Sequence, residues 1–140
     1  MSVEIRKLGR AEIEPLLPAL NADGLDTNPD AGEWFGALRD EEIIGVAQIC
    51  GRDGVAFLDD VWVRPAERRA GIGKLIVAHA AAKTTPIWLI CDEDAVDYYA
   101  GSGFERVGLE DFPQPLAKYY AGRGEWPEAS DHVHVAMRHP

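Results

Sequence analysis

The stretch Val61-Trp62-Val63-Arg64-Pro65-Ala66-Glu67-Arg68-Arg69-Ala70-Gly71-Ile72-Gly73-Lys74-Leu75 decides how this chain is read. Its opening residues are β-branched and aromatic, which suits a strand. From Ile72 onward the apolar residues Ile72, Leu75 and Ile76 fall at helical spacing. Between the two lies a glycine-bearing strand-to-helix loop. At such a helix start the N–H groups are unpaired and the dipole is positive. Gly71 and Gly73 let the main chain come close to a phosphate. The charge agrees: Arg64, Arg68, Arg69 and Lys74 stand against a lone Glu67, a local +3 in a chain of net charge −10. The loop is expected to meet an anion.

Two phosphate motifs fail on named residues. A Walker loop needs a glycine where Arg68 stands and a Ser or Thr where Leu75 stands. A dinucleotide fingerprint needs a third glycine where Ile76 stands. What remains is Arg68-x-x-Gly71-x-Gly73.

Outward from the loop, the spacing predicts a strand over Val55 to Val63, preceded by strands Trp34 to Arg39 and Ile43 to Cys50. Asp40-Glu41-Glu42 and Gly51-Arg52-Asp53-Gly54 read as turns, so these strands form an antiparallel meander. Val3 to Leu8 alternates as a first strand. Ile13, Leu16, Leu17 and Leu20 have helical spacing, but Pro15 and Pro18 make that helix short or kinked. After the loop come a helix over 72–84, a strand Ile87 to Cys91, a short helix Ala95 to Ala100 closed by Gly101 and Gly103, and a strand Phe104 to Leu109. Residues 110 to 130 read as irregular, and His132 to Met137 as a last strand. The crossover from strand 55–63 through helix 72–84 joins parallel strands. The whole is a mixed α/β (α+β) domain over residues 1–140.

The loop pattern resembles the acyl-CoA pyrophosphate loop of the GNAT superfamily of N-acetyltransferases. The context agrees in order and element type: Val61-Trp62-Val63-Arg64-Pro65 lies before it and the long helix after it. Further on, Tyr98-Tyr99-Ala100-Gly101-Ser102-Gly103-Phe104 is similar to the family's Tyr-x-x-x-Gly-Phe segment. The resemblance implies a central mixed, mostly antiparallel sheet of six to seven strands, splayed between the fourth and fifth, with about four helices. It implies acetyl-CoA as co-substrate and no metal. Main-chain N–H groups of Arg69, Ala70, Gly71, Ile72, Gly73 and Lys74 would bind the pyrophosphate, flanked by Arg68, with Lys74 or Arg69 reaching a phosphate. Val63 would pair with the pantetheine arm, and the Val61 N–H would polarise the acetyl carbonyl. Tyr99 matches the family's general acid, and Tyr98 is read as structural. The acceptor amine would attack directly, with no covalent enzyme intermediate.

The base departs from the family's pattern, since its two commonest positions hold Phe57 and Ile90. Asp59 and Asp60 are the nearest carboxylates on the strand, on opposite faces unless a bulge intervenes. Asp60 is the favoured base, and Glu93 a lesser candidate.

The short link Asp92-Glu93-Asp94, with Gly103-Phe104, Phe112-Pro113 and Leu116, is similar to N-acetylglutamate synthase domains, which implies an amino acid or analogue as acceptor. Net acidity points instead to a polyamine or a lysine-bearing peptide. The acidic segment 21–35 and the aromatics Phe112, Tyr119, Tyr120 and Trp126 are expected to line the acceptor side. The rival class is a non-catalytic acyl-CoA-binding module.

Composition excludes other classes. The 24 acidic against 14 basic residues oppose nucleic-acid and anionic-membrane binding. No apolar run approaches a membrane span, and Met1 to Arg6 lacks a signal-peptide core, so a soluble cytoplasmic protein is expected. Cys50 and Cys91 read as buried free thiols. His132 and His134 share a strand face but lack the ligand spacing of a metal cage, and His79 reads as a packing histidine. A monomer or a homodimer is expected, the latter through pairing of an exposed last strand.

Overall fold

Strands β1 (Glu4–Leu8), β2 (Gly32–Arg39), β3 (Glu42–Arg52), β4 (Val55–Val63), β5 (Ile87–Asp92), β6 (Glu105–Arg106) and β7 (His134–His139) form one sheet. Their order across it is β1-β2-β3-β4-β5-β7-β6. The structure is a computed structural model and describes residues 2–124, 126 and 134–140. β1 to β4 are the antiparallel meander that the short connections require. Its two hairpins turn on two residues each, Asp40-Glu41 and Asp53-Gly54, all four at positive φ. Such turns match the twist of the flanking strands. β3 therefore runs on to Arg52, past the Gly51 where the sequence suggested a turn.

Helix α3 (Ile72–Lys83) carries the chain from β4 to β5, and these two strands are parallel. They pair only at Ala56 with Ile87 and Phe57 with Trp88. Beyond that point no ladder joins them, although β4 continues to Val63 and β5 to Asp92. This is the splay that the family resemblance implies.

α3 covers one face of the sheet, packing Ile76, Val77 and Ala80 against Phe35, Leu58 and Leu89. On the other face, α1 (Arg10–Ile13) and α2 (Leu17–Ala22) are joined by a 3-10 turn containing Pro15, with Pro18 in the first turn of α2. They set Ile13 and Leu20 against Trp34, Val46 and Trp62. After β5 comes α4 (Val96–Ala100), which the 3-10 turn at Glu93–Ala95 precedes.

Three expectations need correction. Residues 110 to 130 are not irregular throughout, because Gln114–Gly122 forms helix α5. Pro113 stands at its N-cap and Pro115 in its first turn, positions where the missing N–H breaks no bond. The strand expected over 104–109 is reduced to Glu105–Arg106, and Leu109–Asp111 is a 3-10 turn. The last strand runs to His139 and lies between β5 and β6, and β6 covers its outer side at Met137 and Arg138. His132 and Val133 lie outside the described residues.

Candidate active site

A cleft of about 650 Å³ opens where β4 and β5 part. Main-chain geometry decides what β4 offers to it. The Arg64 N–H donates to the Ile44 carbonyl of β3, 2.8 Å. In an antiparallel ladder the main-chain groups alternate between the two sides of a strand. Trp62 therefore also faces β3, while the N–H and C=O of Val61 and Val63 face the gap that β5 has left. The Val63 carbonyl bears this out, since it accepts a bond from a side chain, Arg68 Nε, at 2.8 Å.

The loop after β4 shapes the cleft's second wall. Arg69 and Gly71 both take positive φ, 69° and 80°, and Gly71 is the N-cap of α3. Among the described residues no side chain caps that helix. Its first i to i−4 bond runs from the Leu75 N–H to the Gly71 carbonyl. The N–H groups of Ile72, Gly73 and Lys74 thus have no partner within the helix and lie in the lining of the cleft. Gly73 is helical, and its lack of a side chain serves space: a Cβ there would collide with the Tyr98 hydroxyl.

The loop's cations are unequally engaged. Arg64 Nε donates to the Ile43 carbonyl and pairs with Glu42, and Glu67 pairs with Arg39 at 2.6 Å. Arg68 Nη2 lies 2.9 Å from Asp23 Oδ2. The same oxygen accepts from Trp62 Nε1 at 2.6 Å. That bond first, and Arg68 after it, hold the Asp23 carboxyl below the usual carboxylate range. Arg69 and Lys74 make no ion pair among the described residues. Lys74 Nζ stands beside Gly101, where a Cβ would lie 3.0 Å from it.

Tyr99 closes the cleft from α4. Its ring packs edge-on against Tyr98 and Phe104, at 5.1 and 5.8 Å between centroids. Burial above all, then the neighbouring Tyr98, Cys91 and Asp60, pushes its phenol above the ordinary value of 10. It is a proton holder at neutral pH. Burial raises Tyr98 as well.

A β-bulge fixes the two strand carboxylates. Gln48 pairs with Asp60 and Ile49 with Leu58, so Asp59 is the extra residue of β4. Asp60 shares the face of Gln48, opposite α3. Asp59 turns to that face too, where its Oδ1 lies 3.5 Å from Arg123 Nη1. Burial raises the Asp59 carboxyl, and Arg123 opposes the rise. The expectation of opposite faces gives way to the bulge: both carboxylates lie on the face away from α3, near Cys50.

Of the residues singled out from sequence, Val61, Val63, Arg68, Arg69, Gly71, Ile72, Gly73, Lys74 and Tyr99 line the cleft together. Ala70 is exposed in the loop, and Asp60 lies behind Val61 on β4. Glu93 pairs with Arg106. Phe112 and Tyr120 are core residues beneath α5, and Trp126 packs on Phe112. Tyr119 lies against Phe57 with Arg52 and Arg123 over its ring. His79 packs on Phe35, and His134 pairs with Asp92 at 3.2 Å. Both cysteines are buried and free. Among the described residues no three His, Cys, Asp or Glu side chains gather to hold a metal, and no helix is long and apolar enough to cross a membrane. Asp23 and Leu25, from the acidic segment 21–35 expected on the acceptor side, line the cleft beside the loop, and Tyr98, read as structural, lines it too.

The Acetyltransferase (GNAT) family, described as a sequence model, matches residues 5–104. No curated protein matches the chain. Among solved structures, N-acetylglutamate synthase from Neisseria gonorrhoeae, complexed with coenzyme A and N-acetyl-glutamate, superposes with a TM-score of 0.72 at 17% identity, over 100% of this chain and 36% of that one. The chain thus spans about a third of that synthase. Escherichia coli ElaA superposes at 0.68 and 16% identity, over 99% of this chain and 100% of that one. The ribosomal-protein-S18-alanine N-acetyltransferase of Escherichia coli does so at 0.70 and 14%, over 99% and 94%. At these identities the likeness is one of fold.

Proposed function

Because this chain belongs to the GNAT acetyltransferase family and is an acetyl-CoA-dependent N-acetyltransferase, we propose that it acetylates the primary amine of a small acceptor, an amino acid or a close analogue, by direct attack in a ternary complex. One observation carries the proposal. The outward-facing main chain of Val61 and Val63, the uncapped start of α3 and the protonated phenol of Tyr99 all line one cleft.

Each residue then has a task that its position suits. The N–H groups of Ile72, Gly73 and Lys74, with Arg69 and Ala70 before them, bind the pyrophosphate at the positive end of α3. Val63 pairs with the pantetheine arm through its main chain. The Val61 N–H donates to the carbonyl oxygen on which negative charge grows. Asp60, on the face away from α3, takes the proton that the ammonium must lose, through water. The amine nitrogen bonds to the acetyl carbon as the carbon–sulfur bond breaks, and Tyr99 hands its phenolic proton to the departing sulfur. The synthase fold with N-acetyl-glutamate bound supports the same acceptor class.

The test is thiol release from acetyl-CoA across amino acids, polyamines, aminoglycosides and lysine peptides. Turnover with amino acids is expected. Turnover confined to polyamines or peptides would move the acceptor to those classes. Binding of acetyl-CoA without turnover on any amine would favour a sensing module instead.

A further inference from the structure

We propose that Asp23 is an internal competitor for the CoA phosphates: it holds Arg68 as a latch across the cleft, and the co-substrate opens the latch by taking the guanidinium. The inference rests on the co-substrate reading above and adds to it a residue that the loop motif does not contain.

The latch has three contacts. Arg68 Nε donates to the Val63 carbonyl at 2.8 Å, Arg68 Nη2 meets Asp23 Oδ2 at 2.9 Å, and that oxygen is fixed by Trp62 Nε1 at 2.6 Å. Asp23, Val63 and Arg68 all line the cleft. The Val63 carbonyl faces the gap, so the guanidinium occupies a main-chain acceptor that the pantetheine arm would use. One side chain therefore obstructs the path at its pantetheine end while withholding a charge from its phosphate end.

The balance favours exchange. The Arg68 and Asp23 side chains are 46% and 36% exposed, and an ion pair this open is weak. A phosphate presents parallel oxygens to the guanidinium fork and a larger charge. It would sit beside N–H groups that have no other partner in the helix. Asp23 cannot follow Arg68 across the cleft. Its carboxylate stays on Trp62, and its N–H is tied to Ala19 and Leu20 carbonyls at the end of α2. Nor can the other cations of the segment replace Arg68 in this role. Arg64 is committed to Ile43 and Glu42, and Arg69 and Lys74 are held by no carboxylate among the described residues.

Calorimetric titration of the full chain with CoA tests this, using the wild type, Asp23→Asn, Arg68→Gln and the double variant. Asparagine keeps an oxygen for Trp62 and removes the charge that competes. Asp23→Asn should tighten CoA about two- to fivefold, the range an exposed pair of this kind supports. The gain should vanish in the Arg68→Gln background. Asp23→Ser serves as the second variant should the asparagine fold poorly. In nitrogen-15 spectra the Arg68 Nε–H signal should move when CoA is added, while the Trp62 indole signal keeps its place. Unchanged or weaker CoA binding by both Asp23 variants, or a stationary Arg68 signal, would overturn the latch and leave the co-substrate reading intact. A wild type that does not bind CoA would overturn both.

Discussion

The hydroxyl of Tyr98 occupies the volume that a side chain on Gly73 would need. The last glycine of the loop is therefore kept small by a tyrosine from α4, not by its own backbone, which is ordinary helix. Gly73→Ala should cost about 1–3 kcal/mol through overpacking, and it should weaken CoA binding because both residues line the cleft. Adding Tyr98→Phe removes the colliding oxygen and leaves the ring carbon 3.3 Å from the new methyl, tight but tolerable. The double variant should recover most of the loss in thermal midpoint and CoA affinity. No recovery would show that Gly73 is required for another reason.

Tyr99→Phe isolates a proton. The ring would keep its packing on Tyr98 and Phe104. Turnover should fall about 100-fold or more if the phenol is the acid, with CoA affinity nearly unchanged. The raised phenol also predicts that the alkaline limb of the wild-type rate lies above pH 10. A loss below about threefold would remove Tyr99 from the role.

Glu12 ties the start of the chain to its first helix. Its carboxylate accepts two bonds from Arg6, at 3.1 and 2.7 Å, and one from the Gly9 N–H at 3.0 Å. Arg6 first, then Gly9, lowers its pKa from 4.5 to about 2. A depressed carboxylate stabilises the fold fully above its unfolded value and ceases to do so as pH falls through its folded one. The wild-type advantage over Glu12→Gln in urea midpoint should therefore be constant above pH 4.5 and shrink towards pH 2. An advantage that grew on acidification would contradict the assignment.

Leu116 tests the helix that prolines concealed. It is wholly buried under α5, in the cluster with Phe57, Phe112 and Tyr120. Leu116→Ala should destabilise the protein by about 2–5 kcal/mol, measured by urea unfolding. A loss below about 0.5 kcal/mol, the scale of surface changes, would mean that α5 does not pack there.

The loop and α3 were legible because their signals are local: two glycines, a cluster of cations and an apolar spacing lie within one short stretch. Tyr99 was legible through its distance to Gly103-Phe104. α5 was not, because Pro113 and Pro115 resemble breakers until the helix start is known. Segment 21–35 stood out for its acidity, but nothing in it marked Asp23 as the partner of Trp62 and Arg68, 39 and 45 residues away. Asp59-Asp60 inside an apolar strand was a hint of irregularity, since aspartate suits strands poorly. Only the pairing register turns that hint into a bulge.

That bulge makes β4 a matter of parity. A strand is counted in twos, and the odd residue at Asp59 changes the count midway along β4. The bulge absorbs that residue, so Asp60 to Val63 stay on the sides of the sheet that Gln48 to Gly45 dictate. Deleting Asp59 would leave a regular ladder with Leu58 still on Ile49 and Asp60 still on Gln48, whereas keeping Asp59 and forcing regular alternation would turn the main chain of Val61 and Val63 towards β3 and bring that of Trp62 to the gap. The edge that β4 turns to the cleft thus depends on how one surplus residue is accommodated as much as on the residues the strand carries.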